Sequence, residues 1–81
     1  GIHTLDISGC EQITSEAFTC LGSVVHLVMD GCTQESLQTQ KMLSYLKNVR
    51  YIGWCFAYIF DSFEPKLLRF AESHSVTLCL D

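Results

Sequence analysis

The sequence predicts an α/β fold: a short solenoid with a parallel β-sheet on its concave face, convex helices, about three repeats and a closing strand. Three observations lead there. Gly9, Gly31 and Gly53 are each 22 positions apart. Apolar residues keep the same step, as Ile2/Val24/Leu46, Leu5/Leu27/Val49, Ile7/Met29/Tyr51 and Cys10/Cys32/Trp54. Within 2–8, Leu5 and Ile7 alternate with Thr4, Asp6 and Ser8, the period of a half-buried strand. The repeats then span about 2–23, 24–45 and 46–73, with strand 75–81 closing a single domain over 1–81.

Each element follows from local chemistry. Gly9 permits the sharp turn that ends the first strand, and Cys10 is expected beneath it as a small buried side chain serving loop backbone groups. A helix begins near Thr14 or Ser15, both competent N-caps, with Phe18 and Leu21 inward. The second strand places Leu27 and Met29 inward and His26, Val28 and Asp30 outward, then turns at Gly31-Cys32. Its helix runs from about Gln34 to Lys47, capped by Thr33, with Leu37, Met42, Leu43 and Leu46 as core contacts. In the third repeat the same register puts Val49 and Tyr51 inward, turns the chain at Gly53 and sets Trp54 in the cysteine position. A final helix spans Pro65 to Ser73, with Asp61, Ser62 or Glu64 as cap, Pro65 in the first turn, and Leu67, Leu68 and Ala71 facing the core. The alternation from Val76 to Asp81 reads as a closing edge strand.

Composition bounds the function. Nine Asp+Glu against five Lys+Arg give a formal charge of −4 and no basic stripe, which argues against nucleic acid as partner. No apolar run reaches the length of about 18 residues that a membrane span needs. An apolar share of 48% with mean hydropathy +0.23 is high for a free-standing domain of 81 residues, so part of this surface is expected to be covered by something else. A solenoid also needs capped ends, and Gly1 lies directly before the first strand. The chain is therefore expected to lack an N-terminal cap or upstream repeats and to belong to a longer protein.

Five cysteines and three histidines carry no C-x-x-C or H-x-x-x-H spacing, so neither a metal nor another cofactor is expected. Cys10 and Cys32 fall at equivalent positions of neighbouring repeats, about one strand spacing of 4.8 Å apart. An odd cysteine total without a secretory signal nevertheless favours reduced thiols. A Cys32/His26 nucleophile pair fails on geometry, because one side chain packs under the turn while the other stands on the open sheet. No Ser-His-Asp set or phosphate-cradling glycine loop appears, and the expectation is a non-enzyme.

Two surfaces remain as candidate sites. On the concave face the outward residues form rows: Thr4/His26/Asn48, Asp6/Val28/Arg50 and Ser8/Asp30/Ile52. The segment Phe56, Tyr58, Ile59, Phe60 and Phe63 is the second, readable equally as a hydrophobic cap over the last repeat or as a partner contact. Gly9, Gly31, Gly53, Cys10, Cys32 and Trp54 are assigned structural roles.

The block Leu5-Asp6-Ile7-Ser8-Gly9-Cys10-Glu11-Gln12-Ile13-Thr14-Ser15-Glu16-Ala17-Phe18, followed by Leu21, resembles the cysteine-containing leucine-rich repeats of F-box proteins. That resemblance is strong over 2–21, moderate over 24–32 and weak after Trp54. It implies substrate recognition for a ubiquitin ligase, although an F-box is not among these residues. The Asn48-Val49-Arg50-Tyr51 stretch and the Ser75 to Asp81 strand also resemble the mitochondrial family of ATP synthase subunit s and the distal membrane-arm assembly factor of complex I. That second resemblance implies a structural or assembly subunit of an inner-membrane complex. Both imply a protein partner, one that can sit within a large complex, and an intracellular setting in cytoplasm, nucleus or mitochondrion. A thiol- or metal-dependent enzyme is the alternative of another class.

Overall fold

In the computed structural model of the chain, residues 3–10 and 15–81 are described. Ile2 and Thr14 lie outside them, as does the side chain of Phe18. Strands β1 (Thr4–Asp6), β2 (His26–Val28), β3 (Tyr51–Gly53) and β4 (Thr77–Cys79) form one four-stranded parallel sheet in chain order. Parallel neighbours require a crossover. The first crossover carries a 3-10 helix, Ser15–Ser23; the second carries a 3-10 turn, Glu35–Leu37, and α1 (Gln40–Tyr45). A 3-10 turn, Phe56–Tyr58, and α2 (Glu64–His74) make the third. Among the described residues no helix is long and apolar enough to cross a membrane.

One face of the sheet builds the core. Leu5, Leu27, Ile52 and Leu78 stand in register, with Leu27 and Ile52 fully buried. Ile7, Met29 and Trp54 form the next buried row. Their amides donate at 2.8 Å to the carbonyls of Val28, Gly53 and Cys79, so the ladder continues past the strand ends. Leu21, Leu37, Met42, Leu43, Leu46, Leu67 and Phe70 close over these rows from the crossovers.

The register corrects the 22-residue interval in the third unit. Leu5 to Leu27 spans 22 residues, but Leu27 to Ile52 spans 25 and Ile52 to Leu78 spans 26. The 3-10 turn before α1 lengthens the second crossover, and an odd offset of three exchanges the two faces of a strand. Tyr51, expected inward, therefore faces outward, and Ile52, expected outward, is in the core. Val49 is buried, but as the counterpart of Val24 at the corner before the strand, not of Leu27. Gly53 does not turn the chain: it lies within β3, whereas Gly9 and Gly31 adopt φ of 74° and 83°, the left-handed conformation that suits glycine. Nor does Trp54 take the cysteine position. It extends the Ile7/Met29 row, and its Nε1 donates to the Cys32 carbonyl at 3.1 Å.

Other local expectations shift for physical reasons. The single helix over Gln34–Lys47 is divided, and Thr39 rather than Thr33 caps α1, its Oγ1 accepting from the Met42 amide at 3.1 Å. In α2 none of Asp61, Ser62 or Glu64 supplies a side-chain cap; the capping position is Phe63, with Pro65 in the first turn. Leu68 is exposed because the buried stripe runs through Leu67, Phe70 and Ala71, at helical spacing. Cys10 is exposed, while Cys32 is buried and its thiol donates to the Ile7 carbonyl at 3.2 Å. The difference follows from position in the sheet: Cys32 packs beneath the turn of the β1 unit, and no described strand pairs with the outer edge of β1.

Substitution at adjacent positions tests the register. Ile52→Ala should cost about 2–5 kcal/mol, as loss of a packed aliphatic side chain does, and Ile52→Asp should abolish the cooperative thermal transition. Tyr51→Ser should cost about 1 kcal/mol, the scale of one aromatic stack. A reversed order of melting temperatures would reinstate the uniform 22-residue register.

Candidate functional site on the open sheet face

The helical segments bury one face of the sheet, and the outward face stays open. Thr4, His26, Tyr51 and Thr77 form one outward row, followed by Asp6, Val28, Gly53 and Cys79. Thr4, Asp6, His26 and Thr77 are exposed, and Val28, Tyr51 and Cys79 are half-buried. All-parallel sheets are ordinarily covered on both faces. This one has no described element over its second face.

An aromatic pair occupies the middle of that face. The rings of His26 and Tyr51 stack with centroids 4.2 Å apart and planes 11° apart. Gly53 makes room for the pair: a Cβ there would lie 3.2 Å from Tyr51 Cε1 and 3.3 Å from its hydroxyl oxygen. The Tyr51 ring thus lies along its own strand over a residue with no side chain. Its phenol is held above the ordinary tyrosine value, first by the hydrogen bond to Cys79, then by desolvation, with the negative charge of Asp30 and Asp81 adding to the effect. Asp6 is shifted the other way. The Ser8 amide donates to its Oδ1 at 2.9 Å and keeps the carboxyl below its usual range.

Of the residues expected on this face, Thr4, Asp6, His26 and Val28 share it, and Ser8 and Asp30 lie exposed just beyond the strand ends. Ile52 does not, being in the core. Asn48 and Arg50 also leave the rows, because the three-residue offset moves them into the corner before β3. There the Asn48 Nδ2 donates to the Gly22 carbonyl at 2.6 Å, while the Arg50 carbonyl accepts from the Thr77 amide at 2.8 Å. Tyr51 and Gly53 take the places expected for Asn48 and Arg50, and Thr77 and Cys79 extend the two rows onto β4. The alternation of the closing strand carried a signal for Thr77 and Cys79, whereas Tyr51 was hidden by the uniform interval.

The aromatic segment divides. Ile59 and Phe63 are buried, the latter with its ring 5.8 Å from that of Trp54, so these two belong to the core and not to a contact surface. Phe56, Tyr58 and Phe60 are 52%, 42% and 37% exposed and leave an apolar patch. Gln38 holds this segment in place. From a buried position its Nε2 donates to the Tyr58 carbonyl at 2.9 Å and its Oε1 accepts from the Phe60 amide at 2.7 Å. Sequence reasoning passed over Gln38; a glutamine between Leu37 and Met42 on an otherwise apolar stripe was the available sign.

The thiols and imidazoles do not converge. Cys32 is buried, and that burial is the first cause of its raised thiol pKa, whereas His26 is exposed in the stack with Tyr51. Among the described residues no group of three or more His, Cys, Asp or Glu could hold a metal ion. The arrangement brings hydrogen-bonding, aromatic and acidic groups onto one open sheet face. No protein-family model, curated protein or solved structure matches the chain.

Two variants probe these details. Gln38→Leu removes both partners of the Tyr58–Phe60 backbone and should destabilise the fold by roughly 1–3 kcal/mol in chemical denaturation, the cost of unpaired buried polar groups. It should also speed amide exchange at Phe60. Cys79→Ala should return the Tyr51 phenol toward the ordinary tyrosine value, read by carbon NMR of the labelled ring. Because that pKa is raised in the folded state, its contribution to stability is complete below the unfolded value of about 10 and is lost as pH rises through the folded one. An unchanged titration in Cys79→Ala would remove the thiol as the cause.

Proposed function

We propose that the chain is a non-catalytic protein–protein interaction module, a short leucine-rich repeat stack that holds a partner on its outward sheet face. One observation carries the reading: a parallel sheet with one uncovered face, centred on the stacked His26 and Tyr51. Left-handed Gly9 and Gly31 at corresponding turns, and the bond from the Cys32 thiol to the Ile7 carbonyl, support the repeat reading. Asp6 and Asp30 border the face, and its two outward rows contain neither Lys nor Arg, so a partner surface bearing basic side chains complements it.

Within this reading, the Leu5 to Leu21 block favours substrate recognition in an F-box-type ubiquitin-ligase adaptor. The exposed patch of Phe56, Tyr58 and Phe60 favours a second reading, a structural or assembly subunit of a mitochondrial inner-membrane complex, because contiguous apolar surface marks lasting interfaces. Affinity purification of the full-length protein with cross-linking separates them. Recovery of a cullin and its adaptor supports the first, and respiratory-complex or ATP synthase subunits support the second. His26→Ala and Asp6→Ala should each leave melting nearly unchanged, and at least one should weaken the recovered partner by about tenfold, a loss of the size expected at an interface hot spot. Cross-links confined to α2 would reject the sheet face as the docking surface.

A further inference from the structure

On the helical side of the molecule, a groove runs between α1 and α2. Two lobes share Gln40, Phe70 and His74: one of about 160 Å³ reaches Lys66 and Arg69, and one of about 280 Å³ reaches Lys47. Three of the chain's five Lys+Arg thus line one groove in a molecule whose formal charge is −4, and among the described residues no Asp or Glu lines either lobe. Among the described residues, none of these three cations is paired with a carboxylate. Like charges lie along this groove without a carboxylate partner among the described residues, and a ligand of opposite sign would relieve their repulsion.

The histidine in this groove is positioned. Its ring stacks on Phe70 with centroids 4.4 Å apart and planes 25° apart, and its Nδ1 lies 3.0 Å from the Phe70 carbonyl oxygen. A carbonyl only accepts, so Nδ1 carries the hydrogen and donates to it, and this bond and the stack together fix the ring as a wall of the groove. Ser73 adds a hydroxyl beside Arg69 in the smaller lobe.

We propose that this groove binds a phosphate-bearing group. In the smaller lobe the Arg69 guanidinium fork, the Lys66 ammonium and the Ser73 hydroxyl match the several acceptor oxygens and the charge of about −1.5 to −2 of a phosphomonoester, and Lys47 adds positive charge from the adjoining lobe. A single carboxylate has fewer acceptor sites and less charge. Each lobe is smaller than the range of about 300–1,000 Å³ typical of drug-sized ligands and has the size to seat one phosphate and the few atoms next to it. That group arrives either on a phosphorylated protein segment or as free phosphate, and the chemistry at the groove is common to both. The outward sheet face plays no part, so this site stands whether or not that face docks a partner.

The test is an NMR titration of the folded protein with a phosphoserine pentapeptide, inorganic phosphate, the unphosphorylated pentapeptide and its aspartate counterpart. Both phosphorus probes should shift amides across 40–47 and 66–74 saturably, while the unphosphorylated peptide should not. Lys66→Ala/Arg69→Ala should weaken binding by about tenfold or more, as loss of charge-assisted bonds does. Arg69→Lys should also weaken it, since lysine cannot form the fork. Glu72→Gln, exposed on α2, serves as the control and should not weaken it. Tighter binding of the phosphopeptide than of inorganic phosphate assigns the source to a protein segment; equal binding assigns it to free phosphate. The proposal fails if neither probe saturates below about 10 mM, a free energy too small for a built site. It fails equally if the aspartate peptide binds as well as the phosphopeptide, or if the double variant, shown to be folded by its melting curve, binds unchanged.

Discussion

A parallel ladder joins strands only when each crossover returns the chain at the same height and with the same face inward. Every other feature of this molecule depends on that condition. It is met by the inward row of Leu5, Leu27, Ile52 and Leu78, extended by Ile7, Met29 and Trp54. Because side chains alternate strictly along a strand, placing Ile52 in the core places Tyr51 and Gly53 outward together. The stack on His26, the room that Gly53 leaves for the phenol and the influence of Cys79 on that phenol are consequences of this one choice of parity.

Length variation between crossovers is absorbed by helical structure on the covered side. The first crossover uses a single 3-10 helix, whereas the second adds a 3-10 turn before α1 and the third ends in the longer α2. Breaking the second crossover at Gln38 and Thr39 frees two polar side chains for use. Thr39 closes the amino end of α1, and Gln38 reaches the backbone of the next unit, where it satisfies a carbonyl and an amide that no regular ladder would pair. The same residue that interrupts one helix therefore secures the turn following β3.

The first two strands were legible in the sequence because their core residues fall on one parity, Leu5 and Ile7 against Thr4 and Asp6, Leu27 and Met29 against His26 and Asp30, with only Val28 apolar on the outward side. The third was not. Val49, Tyr51, Ile52 and Trp54 put large apolar residues on both parities, so alternation could not choose a face and the glycine interval decided wrongly. Glycine itself has two uses here, a left-handed turn at Gly9 and Gly31 and the absence of a side chain at Gly53, and spacing cannot tell them apart. The open face was half legible for the same reason: Asp6, His26 and Val28 were placed by alternation, while Tyr51 needed the true crossover length. Gln38 depends on a partner 20 residues away, and no local pattern encodes that pairing.

Charge shows most clearly how far composition reaches. A formal charge of −4 describes the field at a distance and reasonably disfavours a polyanion wrapped along the whole surface. At contact range the average no longer applies, because beyond about 10 Å salt screens exposed charges and only neighbours matter. The acidic side chains Asp6 and Asp30 border the sheet face, while Lys47, Lys66 and Arg69 gather between the helices. This segregation follows from the fold. Strand ends that carry Asp6 and Asp30 must emerge on one edge of a parallel sheet, and cations spaced along α2 as Lys66 and Arg69 fall on one side of that helix. One net value thus conceals two surfaces of opposite character.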